Sequence, residues 1–280
     1  MNDDNDGGGS GDRGLGEDGT IRREGSLSRV PAVFAPVVAA ARSRISAAFD
    51  GTRLHGAYVY GSIPRGTAVP GVSDLDLLLA LHDAPTPADE AAARAVEADL
   101  DASSDLIDGV GVLLFDVGTL TSELERDDLG FFVACLCTPL LGEDLARQLP
   151  SYRPTARLAR ETNGDLHLLL PRWRRRAAEA TTDAERRYLS RGVARRLVRS
   201  GFTLVMPRWG GWTSDLVESA EVFARYYADR PERVEQLRSA ARIGRAPSAD
   251  PAVVAMLVED LAPWLAAEYL AVHGPKAPRP

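Results

Sequence analysis

The chain has 280 residues, 45% of them hydrophobic and 26% charged, and a net charge of −7. That composition suits a globular protein with a sizeable buried core, and the acidic balance argues against a surface that grips nucleic acid everywhere, though not against a local basic groove. No apolar run approaches the roughly 18 residues needed to span a bilayer, so no membrane partner is expected.

Residues 1–28 are Gly, Asp and Ser with almost nothing apolar, and read as a disordered, solvated tail. The stretch has no basic or apolar segment of the signal-peptide kind, so the expected setting is a reducing cytoplasm. From Val33 to Phe49 apolar residues recur at helical spacing, which predicts a helix over 34–49 with Pro36 in its first turn. Leu54 to Tyr60 reads as a strand running into a turn at Gly61, and Asp74 to Leu81 as a second, central strand. A helix over 86–101 is capped by Thr86, and Val110 to Phe115 is a third strand. The segment 119–145 is mixed, with a helix near 119–126 and then the apolar run FFVACLCTPLL. Cys135 and Cys137 lie in that run and read as buried thiols rather than a redox or metal pair.

A domain boundary is expected between Leu145 and Pro154, separating a first domain over 29–148 from a helical one over 149–275. Helices are expected there near 155–178, 183–205, 214–228, 231–241 and 251–273. The fold class is therefore α/β (α+β): a small mixed twisted sheet with flanking helices, followed by an all-helical domain.

The chemistry concentrates in residues 56–81, GAYVYGSIPRGTAVPGVSDLDLLLAL. Gly61 ends the first strand and lets the backbone approach a ligand closely. Ser62 adds a small hydroxyl, and a helical turn starting there would aim backbone N–H groups at an anion. Arg65 stands beside it. Asp74 and Asp76 are two residues apart on a strand, so they project from the same face. Two close carboxylates repel, and a hard divalent cation relieves that repulsion.

Gly61-Ser62, Gly66 and Ser73-Asp74-Leu75-Asp76-Leu77 together resemble the signature of the polymerase-β-type nucleotidyltransferase superfamily. The resemblance covers about residues 34–145. The helical remainder is similar in layout to aminoglycoside nucleotidyltransferases. What the resemblance implies is Mg2+ at Asp74 and Asp76 and a phosphate contact from Ser62; Gly61, Arg65 and Ser73 are the candidate phosphate contacts beside it. The resemblance also implies NTP, with ATP the expected one, as the donor, and transfer of a nucleoside monophosphate to a hydroxyl acceptor.

The superfamily usually places a third acid on the next strand, and here Gly111 aligns with that position. Asp108 is the alternative third ligand, provided that a glycine bulge shifts the strand's phase. Two further features belong to the helical part. Arg187, Arg191, Arg195 and Arg199 form a positive ridge, in which Arg195 is the candidate phosphate or acceptor contact; salt bridges to neighbouring helices are the other reading. Trp209 and Trp212 around two glycines either stack a base or anchor a turn.

The expected function is nucleotidyl transfer to a small, aminoglycoside-like hydroxyl acceptor with release of pyrophosphate. The alternatives are a nucleotide-binding module without chemistry, suggested by Gly111, and a transferase acting on protein or RNA.

Overall fold

The computed structural model describes residues 12–279. Contacts divide them into two units: Arg22–Tyr152, and a helical unit of the residues from Arg153 onward together with those before Arg22.

The first unit is built on a four-stranded sheet. Its elements are α1 (Ala35–Ala48), β1 (Leu54–Tyr60), the one-turn α2 (Ser62–Arg65), β2 (Leu75–Leu81), α3 (Pro87–Asp101), β3 (Val110–Asp116), α4 (Val117–Thr121) and β4 (Cys137–Gly142). The strand order is β3-β2-β1-β4. β1 runs antiparallel to β2 and to β4, while β2 and β3 are parallel. A parallel pair needs a long crossover, and α3 supplies it.

The unbroken apolar run of β2 reflects burial on both faces. Leu75, Leu77, Leu79 and Leu81 pack with Phe34, Ile45, Val96 and Leu100 from the helical layer, and Leu78 and Ala80 pack with Tyr58, Leu120 and Val133. Each fully buried leucine contributes about 1.5–3 kcal/mol. β3 is an edge strand, and its Val112 N–H donates to Glu97 Oε1 of α3 at 2.7 Å. That bond occupies a group on which a foreign strand would pair.

The start of α3 is held by a charge. Thr86 and Asp89 form a capping box, and the Asp89 carboxylate also accepts from Arg53 Nε at 2.9 Å and Nη2 at 2.6 Å. The Arg53 guanidinium, helped by Thr86 and opposed by burial, holds the Asp89 carboxyl well below the usual carboxylate range. A depressed folded-state value stabilises the protein above the unfolded value, near 3.9, and that stabilisation is lost as pH falls below it. Asp89→Asn is therefore expected to cost about 2 kcal/mol at neutral pH and progressively less toward strong acid. Thermal unfolding followed by circular dichroism from neutral to acid pH checks this; a cost independent of pH refutes the charge argument.

The apolar run at 131–141 is not one element. Two π-helical turns, Arg126–Gly130 and Phe132–Leu136, lead into β4, and the helix expected near 119–126 shrinks to α4. β4 owes its order to pairing with β1, from Gly56↔Gly142 to Tyr60↔Cys137. Pro139 is tolerated because the strand lies at the sheet edge. Cys135 and Cys137 are buried free thiols, and burial pushes the Cys135 thiol up to about 12.

The helical unit comprises α5 (Ala156–Asn163), α6 (Leu166–Glu179), α7 (Asp183–Trp209), α8 (Leu216–Tyr226), α9 (Pro231–Arg245), α10 (Pro251–Ala255) and α11 (Ala262–His273). The single helix expected over 155–178 breaks at Gly164, where a methyl group would lie 2.4 Å from the Arg160 carbonyl oxygen. Leu189, Val193, Leu197 and Val198 form the expected buried stripe of α7. No helix among the described residues is long and apolar enough to cross a membrane.

The expected tail over 1–28 needs correction where it is described. Residues 12–21 belong to the helical unit: Arg13 Nη1 donates to the Trp209 carbonyl at 3.0 Å, and the Trp212 N–H donates to the Arg13 carbonyl at 2.8 Å. Residues 22–28 belong to the sheet unit. Arg23 grips Asp144 through two bonds of 2.8 and 3.0 Å, and the Glu24 N–H donates to the Cys135 carbonyl at 2.9 Å. Most of these contacts use backbone groups, so hydropathy does not register them. Residues 1–11 lie outside the described part.

Candidate functional site

The site grows from the end of β1. Gly61 follows Tyr60 at φ 82° and ψ −148°, a conformation essentially reserved for glycine. It turns the chain into α2, whose Ile63 and Pro64 are buried while Ser62 and Arg65 remain partly exposed. Arg65 Nε donates to the Gly61 carbonyl at 2.9 Å, so the arginine is tied to the turn it follows. Behind α2, the Ser26 N–H donates to the Pro64 carbonyl at 3.0 Å. A methyl group on Gly25 would lie 2.5 Å from Thr138 Oγ1 and 3.0 Å from Pro64 Cβ. The segment before α1 thus braces the turn from outside, a role that no sequence pattern announces.

The loop from Gly66 to Ser73 is also tied down. Ser73 Oγ accepts from the Val69 N–H at 2.9 Å, and the Ser73 carbonyl accepts from the Asp108 N–H at 3.1 Å. Ser73 therefore braces the loop that delivers Asp74 to the mouth of β2. Asp74 and Asp76 are both half-buried.

Asp76 sits in one row across three strands, level with Tyr60 on β1 and Gly111 on β3. Glycines flank its carboxylate. A methyl group on Gly61 would lie 2.7 Å from Oδ2, and one on Gly111 would lie 3.8 Å from Oδ1. Tyr60 packs edge-on against Phe132 at 4.9 Å, so the first π-helical residues after Phe131 border the row. The face continues along β3 to Leu113, which is 39% exposed. A carboxylate with glycine rather than bulk on both sides, two residues after a second carboxylate, has the oxygen chemistry that suits a hard divalent cation.

Asp108 is not brought into that cluster. The register of β2 and β3 runs without a shift from Leu75↔Val110 to Leu81↔Asp116, so the bulge that would change its phase is absent. Asp108 is exposed, and among the described residues no three His, Cys, Asp or Glu side chains gather to hold a metal.

Arg195 belongs to the helical unit, where its Nε donates to the Gly244 carbonyl at 2.9 Å near the end of α9. Its neighbours on the ridge find acids: Arg186 and Arg187 pair with Asp183, and Arg196 with Asp165. The tryptophans are anchors. Trp209 and Trp212 are buried, and Phe202 packs edge-on against both at 5.7 and 5.6 Å.

Neither a protein-family profile nor a curated protein matches the chain. Among solved structures it is similar to the crystal structure of spectinomycin adenyltransferase AAD(9) from Enterococcus faecialis with ATP and spectinomycin. The TM-score is 0.50 at 13% identity, over 82% of this chain and 98% of that one. The likeness is one of fold: a mixed α/β sheet unit accompanied by a helical one.

Proposed function

We propose that this protein is a nucleotidyltransferase, moving a nucleoside monophosphate from an NTP to the hydroxyl group of an acceptor. The observation that carries this reading is the seat of Asp76: a carboxylate flanked by Gly61 and Gly111, level with the end of β1, in a chain with this fold. In the reaction the acceptor oxygen forms a bond to the α-phosphorus. The bond from that phosphorus to the oxygen shared with the β-phosphate breaks, pyrophosphate leaves, and the hydroxyl proton passes to solvent.

On this reading each element has a task. Ser62 and the backbone of α2 receive the phosphates, with the Gly61 turn allowing close approach. Asp74 and Asp76 would hold Mg2+, which when bound neutralises phosphate charge as the bond is exchanged. The brace of Ser26 on Pro64 and of Ser73 on Val69 holds the turn and the carboxylates in fixed relation, and positioning is most of what such a transfer requires. ATP is the donor proposed, and a small polyhydroxylated molecule the acceptor, because the similar protein was crystallised with ATP and spectinomycin. A cytoplasmic setting, where ATP is at hand, goes with this reading. The net charge of −7 favours a small acceptor over RNA.

A nucleotide-binding module without chemistry is the second reading, and Gly111 is the observation that favours it. One experiment separates the two. Thermal unfolding is recorded with each of the four NTPs and Mg2+, and radiolabelled NTP is incubated with aminoglycoside-type acceptors. A shift together with transfer supports the enzyme. A shift with no transfer to any acceptor supports the module, and absence of both sinks the nucleotide reading.

A further inference from the structure

The end of the sheet away from Asp76 carries a pair of imidazoles. Leu54 pairs with Leu81 and Gly56 with Ala80, so His55 is the extra residue of a bulge in β1. A bulge re-aims a side chain, and here His55 lies beside His82, the residue that follows β2. Their ring centroids are 5.3 Å apart at an interplanar angle of 68°. The backbone is held on both sides: the His55 carbonyl accepts from the Glu143 N–H at 3.2 Å, and the His82 N–H donates to the Arg53 carbonyl at 3.1 Å. Gly142 approaches the bulge so closely that a methyl group on it would lie 2.2 Å from the His55 carbonyl oxygen. The Arg53 charge is matched by Asp89 at 2.6 Å and Asp83 at 3.7 Å. His55 Nδ1 is buried and has no hydrogen-bond partner, while His82 is exposed. The chain from Asp76 to His82 extends about 20 Å at the usual strand rise.

Zn2+ binds an imidazole nitrogen at about 2.0–2.1 Å, so two imidazoles on one tetrahedral ion have ring centres about 5 Å apart. His55 and His82 stand at that separation with the backbone as it is. We propose that they form a two-histidine site for a divalent transition-metal ion of the Zn2+ class. Imidazole suits Zn2+, Cu2+ and Ni2+, whereas Mg2+ takes oxygen ligands, so Mg2+ does not compete for this pair. The other coordination positions go to water or to an outside ligand, since among the described residues no three His, Cys, Asp or Glu side chains gather around an ion. Coordination also serves the protein. A buried ring nitrogen without a partner is costly, and an ion on the ring fixes its tautomer and orientation. The bound ion ties β1 to β2 across the bulge and stabilises the native state, because the unfolded chain holds the two rings in no fixed relation. The site is independent of the nucleotide reading above.

The test uses the full chain and Zn2+ as the probe, titrated by calorimetry in excess Mg2+ so that oxygen sites are filled. Wild type is expected to bind Zn2+ saturably, and saturation to raise the unfolding temperature by about 3 °C. His55→Gln and His82→Gln are each expected to weaken the binding about tenfold or more and to remove the shift. His167→Gln, which changes a histidine of the helical unit, and Asp76→Asn are expected to bind Zn2+ as wild type does. Absence of saturable binding overturns the proposal, as does binding that survives both His55→Gln and His82→Gln, or binding lost in Asp76→Asn. Circular dichroism checks the folding of each variant, and His82, being exposed, supplies the deciding variant if His55→Gln misfolds. Electron paramagnetic resonance of Cu2+ on the wild-type chain needs no variant: splitting by two imidazole nitrogens is expected, and splitting by fewer overturns the site. Failure here leaves the nucleotide reading untouched.

Discussion

Asp76→Asn is expected to lower nucleotidyl transfer by about a thousandfold or more, equivalent to about 4 kcal/mol of lost transition-state stabilisation. The exchange keeps the shape of the side chain and removes its charge. Asp76 is half-buried between Gly61 and Gly111, and its row partners contribute no charge of their own. A carboxamide fits the same seat, so thermal unfolding without ligands is expected to change by no more than a few degrees. The NTP-dependent shift should disappear. This split is the opposite of the one expected for Asp89→Asn, which alters stability through Arg53 and leaves the site untouched. Transfer by Asp76→Asn at the wild-type rate would remove Asp76 from the mechanism. Loss of structure instead of loss of transfer would make it a folding residue.

Gly61→Ala is expected to damage both properties at once. The backbone there is at φ 82° and ψ −148°, which costs an L-residue about 1–3 kcal/mol. The added methyl group would also lie 2.7 Å from Asp76 Oδ2, closer than such contacts allow. One of two things must yield, the turn into α2 or the carboxylate, and either moves a group assigned to the nucleotide. The expectation is a loss of about 2–4 kcal/mol in stability together with about a hundredfold loss in transfer, since displacement of about 1 Å is enough for the second. Gly111→Ala is the matched control. Its methyl group would lie at an ordinary contact distance of 3.8 Å, so the fold should tolerate it. Denaturation and transfer measured on the pair check the argument, and equal behaviour of the two variants would refute it.

The two glycines differ in how visible they are in the sequence. Gly61 stands out because it ends a strand and precedes Ser62, a local pattern. Gly111 is one residue of VGVLLFD, and its meaning depends on which residue of β2 lies beside it. Alternation sets Gly111 out of phase with Asp108, but a bulge would have reversed that phase. Only the uninterrupted register of β2 and β3 shows that no bulge is there.

The same contrast runs through the fold. The buried strand β2, the helices α1 and α3 with the Thr86 cap, and the stripe of α7 follow from periodicity and capping chemistry. β4 does not, because a Pro-containing strand with weak local preference is ordered by β1 lying next to it. The bracing of α2 by Gly25 and Ser26 is invisible for another reason. A glycine and a backbone N–H carry no hydropathy, so a segment that reads as a solvated tail is packed. The arginine ridge shows its charges in the sequence, while the acid that pairs with Arg196 is Asp165, at the start of α6.

By itself the sequence determined the strand–turn–strand frame of the candidate site, because strand alternation and turn chemistry act over a few neighbouring residues. Tertiary structure alone decided that Asp76 is flanked by glycines, that Asp108 stays out of the cluster, and that residues 22–28 support the turn. Those outcomes depend on strand register and on backbone contacts between distant segments, and neither is carried by the identity of any one residue.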